Sequence, residues 1–103
     1  MEIISVRHDY PEKAGFKIYR PVGRSDYTFL HFEDKMTVEM NGKKIITEPN
    51  ACILYSPDIP QFFYSEKADI THNWMHFTAD AAPLLSKFNI PLNKIIYPKG
   101  DTS

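Results

Sequence analysis

Two stretches decide how this chain folds: Ile53-Leu54-Tyr55-Ser56-Pro57-Asp58-Ile59-Pro60-Gln61-Phe62-Phe63-Tyr64, and the later run His72-Asn73-Trp74-Met75-His76-Phe77. The first reads as an apolar strand, a turn bracketed by two prolines, and an aromatic strand that returns. In the second, strand alternation puts His72, Trp74 and His76 on one face and Asn73, Met75 and Phe77 on the other. Strands joined by a proline corner, with a tryptophan and imidazoles projecting together, are what a small barrel needs to line a pocket.

On either side of these stretches the same period of two persists, to about residue 78. Ile4, Val6 and His8 alternate with Ser5 and Arg7, giving a first strand expected to end before Pro11. Phe16 to Arg20 is a second, stopped by Pro21 and Gly23, and Tyr27 to Phe32 is a third, rich in aromatic and β-branched residues. Met36, Val38 and Met40 lead to Asn41-Gly42 and then to Lys43–Thr47. Asn-Gly between two alternating runs is the preferred type I′ hairpin, whose central residues both need positive φ. Ala51–Tyr55, Gln61–Ser65 and Ile70–Phe77 follow as strands. The period then changes. Asp80 is a candidate N-cap for a short helix through Phe88, with Ala81, Leu84, Leu85 and Phe88 on its packing face and Asn89 suited to its end. Ile90 to Pro98 reads as extended. About seven or eight short strands at such spacings indicate a mostly β, antiparallel sandwich or barrel with one short helix near the C-terminus.

The chain's 103 residues suffice for one domain and one core. With 43% hydrophobic residues it is globular rather than disordered. Twelve basic residues against thirteen acidic ones, with no Lys or Arg run, leave no phosphate-tracking surface, so duplex binding by these residues is not expected. The single cysteine, Cys52, excludes an internal disulfide and a thiolate zinc cluster; its apolar neighbours place it in the core. The start Met1-Glu2-Ile3-Ile4-Ser5 has neither the basic nor the long apolar region of a signal peptide. No apolar run approaches the roughly 20 residues that span a bilayer. A cytoplasmic protein without a membrane partner is expected.

The candidate site residues gather on few strands. His72 and His76, four apart, would suit a zinc pair on a helix, but on a strand they stand about 13 Å from each other and cannot share an ion. The cupin metal pattern is broken as well: the first hairpin offers only His31, and Gln61 stands after the proline corner where a later His would be expected. A metal-dependent enzyme built on His31, His72 and His76 is therefore the competing reading, and neither metal, cofactor nor catalytic residue is assigned. Trp74 can plug a core or serve as a ligand platform. His72 and His76 beside it suit the stacking and hydrogen bonding that a sugar or similar polar molecule demands. Tyr27, Phe29 and His31 form a similar set on an earlier strand, which leaves Leu30 and Phe32 to pack elsewhere. Gln61 and Phe63 complete the expected walls. No Ser-His-Asp arrangement or glycine-rich phosphate loop appears.

At these residues a resemblance becomes specific. Arg20-Pro21-x-Gly23-x-x-Asp26-Tyr27, the Asn41-Gly42 hairpin, Cys52 to Pro57 with Gln61 and Tyr64, and Asn73-Trp74-Met75-His76-Phe77-Thr78 together resemble the N-terminal domain of AraC-type transcriptional regulators. The likeness runs over residues 16–98. It implies a cupin-like jelly-roll barrel that binds a small-molecule effector and forms a homodimer, with DNA bound only by a separate C-terminal domain carrying two helix-turn-helix motifs. In the arabinose-responsive members a His and a Trp on the strand equivalent to Ile70–Phe77 contact the sugar, matching His72 and Trp74; Phe63 or Tyr64 occupies the place of a further aromatic contact. Their arginine contact on the Tyr27 strand is unmatched, since Glu33-Asp34-Lys35 stands there. No recognition helix is present and none of the usual dimer-forming helices is expected beyond Lys99, so residues 1–103 read as a single isolated sensor domain. The alternative to both readings is a stand-alone carbohydrate-binding module.

Overall fold

The computed structural model describes residues 1–98. Nine strands and one short helix follow in order: β1 (Ile3–Glu12), β2 (Phe16–Arg20), β3 (Tyr27–Phe32), β4 (Thr37–Met40), β5 (Lys43–Ile46), β6 (Ala51–Tyr55), β7 (Gln61–Ser65), β8 (Ile70–Phe77), α1 (Ala82–Lys87) and β9 (Ile95–Ile96). The protein is mostly β and its strand pairs are antiparallel, as the period of two requires. The strands form a five-stranded sheet in the order β1-β8-β3-β6-β9 and a four-stranded sheet in the order β2-β7-β4-β5. No closed barrel forms among the described residues. After Glu12 the chain leaves the first sheet, and β2 pairs with β7 instead of continuing beside β1.

The two sheets pack face to face. Leu30, Phe32, Ala51, Ile53, Tyr55 and Ile70 from the larger sheet meet Val38 and Phe63 from the smaller, with Met36 filling in from the preceding loop. Phe32 and Phe63 are essentially fully buried, and each such side chain contributes roughly 1.5–3 kcal/mol relative to exposure. The outer face of the larger sheet carries a second cluster, Tyr27, Leu54 and Phe77, capped by Ala81 and flanked by Phe29, Met75 and Leu85. The helical segment therefore covers part of the outer face, through Ala81 and Leu85, while the smaller sheet packs on the inner one.

Local chemistry explains the connections. Asn41 (φ 52°) and Gly42 (φ 75°) make the expected hairpin between Met40 and Lys43. At the helix end Asn89 takes φ 54°, its N–H donates to the Ser86 carbonyl, and the Ile90 N–H donates to that of Leu85. This is a Schellman cap on an asparagine. Three expectations need correction. Strand β1 runs through Pro11 to Glu12, because it is an edge strand and an edge tolerates the missing donor. The helix begins as a 3-10 turn over Ala79–Ala81, after Thr78 rather than Asp80. The packing face is also narrower than expected: Ala81 and Leu85 pack on the sheet, while Leu84 and Phe88 are exposed. The segment from Ile90 to Pro98 pairs only at Ile95–Ile96, against Ile53 and Cys52. The expectation of no dimer-forming helices beyond Lys99 falls on residues outside those described.

Candidate functional site

The site grows from two strands that face each other across the sheets. On β8, His72, Trp74 and His76 sit opposite Phe32, Leu30 and Thr28 of β3, and residues paired in this way share a sheet face. On β2, Phe16, Ile18 and Arg20 are partly buried while Lys17 and Tyr19 are exposed. Phe16, Ile18, Arg20, Thr28, Leu30, Phe63, His72, Trp74 and His76 line a partly open cavity of about 260 Å³, completed by Tyr10 and Glu12 of β1. A cavity of about 150 Å³ already admits benzene, so this one has room for a small ligand.

Tyr10 and Glu12 reach the cavity through a β-bulge. From Arg7 to Tyr10 β1 advances three residues, while β8 advances two from Trp74 to His72. The extra residue is taken up at Asp9 (φ 51°), whose N–H donates to Asn73 Oδ1 (2.7 Å). Such a bulge switches which side chains face inward. Tyr10 then meets Trp74 edge to face (ring centroids 5.0 Å apart), and Trp74 packs on His72 (4.8 Å).

The two ends of the cavity differ in charge. At one end Glu12 Oε2 lies 3.0 Å from His72 Nε2, with Phe16 packed on the imidazole at 5.2 Å. His72 Nδ1 is buried and has no hydrogen-bond partner among the described residues. At the other end runs a hydrogen-bonded chain. Arg20 Nη1 donates to Gln61 Oε1 (3.0 Å), Gln61 Nε2 donates to Thr28 Oγ1 (3.1 Å), and Thr28 Oγ1 shares a bond of 3.1 Å with His76 Nδ1. Behind it Arg24 grips Asp26 through Nε–Oδ1 (2.7 Å) and Nη2–Oδ2 (2.8 Å). That fork holds the Asp26 carboxyl below the usual carboxylate range. Burial, reinforced by Arg24, pushes the His76 imidazole down, so it is neutral at pH 7. Burial, again reinforced by Arg24 and opposed by Asp26, lowers the Arg20 guanidinium from its ordinary value. Arg20 nevertheless stays charged, as arginine does in proteins. Among the described residues no carboxylate reaches ion-pair distance of Arg20; Asp26 is engaged by Arg24.

Of the residues expected from the sequence, His72, Trp74 and Phe63 line the cavity. Gln61 is fully buried and stands behind it, tying Arg20 to Thr28. Tyr27, Phe29 and His31 do share a face, but it is the opposite one. Tyr27 stacks on Phe77 (5.2 Å) and Phe29 joins the outer cluster. His31 Nδ1 accepts from Asn73 Nδ2 (3.0 Å) and its Nε2 donates to Asn50 Oδ1 (3.1 Å) outside the sheet. Leu30 and Phe32, not Tyr27 and Phe29, point inward. His31, His72 and His76 thus cannot meet at one ion, and no group of three or more His, Cys, Asp or Glu that could hold a metal occurs among the described residues. Cys52 is buried and its thiol pKa is pushed up by burial, which suits a core residue. Sequence reasoning missed Tyr10, Glu12, Phe16, Ile18, Arg20, Thr28 and Leu30 as wall residues. For Arg20 a signal existed: it is in phase with Phe16 and Ile18, which mark the inner face of β2. For Tyr10 and Glu12 the bulge hid it.

No helix among the described residues is long and apolar enough to cross a membrane. No protein-family model matches this chain, and no curated protein matches it.

Proposed function

We propose that the cavity binds a small polar, sugar-like molecule and that the chain is the effector-sensing and dimerisation domain of a cytoplasmic AraC-type transcriptional regulator. The observation that carries the binding half is the composition of the wall. Trp74, in contact with Tyr10 and His72 in the cavity wall, offers an apolar surface for the C–H side of a sugar ring, and hydrogen-bonding groups line the same cavity. Ligand sites combine apolar area with a few placed polar groups in this way. The regulatory half is supported by the sequence resemblance, under which the two-sheet fold is a cupin-like jelly roll and DNA is bound by a C-terminal domain outside this chain.

Calorimetric titration with a panel of monosaccharides and their derivatives tests the binding half, with Trp74→Ala as the control. In a ligand cavity the variant loses binding yet costs less stability than the about 3–5 kcal/mol of an aromatic removed from a filled core. A loss of that full size, with no ligand in the panel, would mean that Trp74 is packing and the reading is wrong. For the regulatory half, the reading frame of the gene is expected to continue into a helical DNA-binding domain.

A further inference from the structure

We infer that the ligand of this cavity is an acid: a small polyhydroxy carboxylate such as a sugar acid, its carboxylate seated on Arg20 and its hydroxyl-bearing end directed to His72 and Glu12. The inference rests on the binding reading above and narrows it to a chemical class. Three observations carry it. Two arginines, Arg20 and Arg24, stand at one end of the site with a single carboxylate, Asp26, and Arg24 holds both of its oxygens. Among the described residues Arg20 has only the neutral Gln61 amide. Asp26 acts on Arg20 only from beyond ion-pair distance; a partly buried cation with no contact partner of its own among the described residues is costly, and a guanidinium recognises a carboxylate through a planar fork of donors. The Gln61–Thr28–His76 chain keeps that fork in place from behind.

The opposite end has the opposite character. Glu12 is an acceptor there, beside the His72 imidazole, and a second carboxylate placed beside Glu12 would be repelled. Trp74 and Ile18 lie between the two ends. The order along the cavity is therefore cation, apolar platform, hydrogen-bonding acid. A carboxylate, a ring or carbon chain with C–H faces, and hydroxyls match it in the same sequence.

Titration of the wild-type chain with matched pairs tests this: glucuronate against glucose, galacturonate against galactose, and gluconate against sorbitol. The acid of at least one pair is expected to bind at least tenfold more tightly than its neutral partner, with affinity falling as salt rises. Arg20→Gln should erase that preference, and Arg20→Lys should restore part of it; the melting curves of both variants control for folding. If neutral sugars bind as well as or better than the acids, the acidic class is wrong while the binding reading stands. If no member of any pair binds, both fail. The wild-type comparison decides the matter even where an Arg20 variant does not fold.

Discussion

Tyr55 is fully buried in the core, yet its hydroxyl has no hydrogen-bond partner among the described residues, and burial drives its pKa up. An unmet buried hydroxyl costs about 1–3 kcal/mol. Tyr55→Phe keeps the ring and is expected to be neutral or stabilising in urea denaturation; a loss above about 1 kcal/mol would show that the hydroxyl has a partner. His76 makes the complementary case. Burial, Arg24 and Arg20 hold its pKa below the ordinary 6.5, against the opposing pull of Asp26 and the Tyr27 backbone. The unfolded chain thus takes up this proton first, and stability falls as pH drops below about 6.5. Asp26, held below 3.8 chiefly by Arg24, extends the loss into more acid solution, since its contribution is present above 3.8 and disappears as pH falls through the lower folded value. Urea midpoints should decline from pH 7 to pH 4, and His76→Gln should flatten the first part of that decline. A wild-type midpoint that stays level between pH 7 and 5 would contradict this account of His76.

At the scale of elements, the loop after β2 and the proline corner before β7 act as one piece. Gly23 (φ 71°) lies so close to Ile59 that a Cβ would collide with the Ile59 backbone, and the Asp58 N–H donates to the Arg24 carbonyl (2.8 Å). This contact brings Arg20 and Gln61 together at the ends of their paired strands. Gly42 also has positive φ, but its Cβ position opens into empty space. Gly42→Ala should therefore cost only the left-handed backbone penalty, about 1–2 kcal/mol. Gly23→Ala should cost clearly more and weaken ligand binding too, because backbone must move to admit it. Equal melting temperatures for the two variants would mean that the loop and corner are not locked. The bulge at Asp9 is the second such device, aiming Tyr10 and Glu12 at the cavity.

Over the whole molecule, the first strand closes the site that the last long strand builds. β1 pairs with β8, and the Glu12–His72 contact joins residues 60 apart in sequence. The Cα radius of gyration, 13.5 Å, is close to the about 13 Å of a compact 100-residue domain. Non-local pairing of this kind must overcome loop-closure entropy before contacts form, which places folding in the millisecond-to-second range. Trp74 is the only tryptophan and sits at the junction of β1 and β8, so its fluorescence reports that closure directly. Stopped-flow refolding should show its signal arriving in milliseconds to seconds; complete recovery within microseconds would contradict the topology.

Much of this was legible from residues alone. Alternation marked the strands from Phe16 to Phe77 nearly to the residue, Asn41-Gly42 announced its hairpin, and Asn89 its helix end, because each is a local steric preference that neighbours do not override. Alternation also grouped His72 with Trp74 and His76. It could not say which face of β3 is inside, since Tyr27-Phe29-His31 and Thr28-Leu30-Phe32 are both suitable for burial, and the larger sheet carries a buried cluster on each face. Only packing against the smaller sheet chose between them. The charged ends of the cavity were likewise beyond local reading: Arg20 meets Gln61 only through the pairing of β2 with β7, and Glu12 meets His72 only after a bulge shifts β1 by one residue. Sequence determined which residues share a strand face, because that depends on the backbone period. Tertiary structure decided which faces meet, because that depends on partners far along the chain.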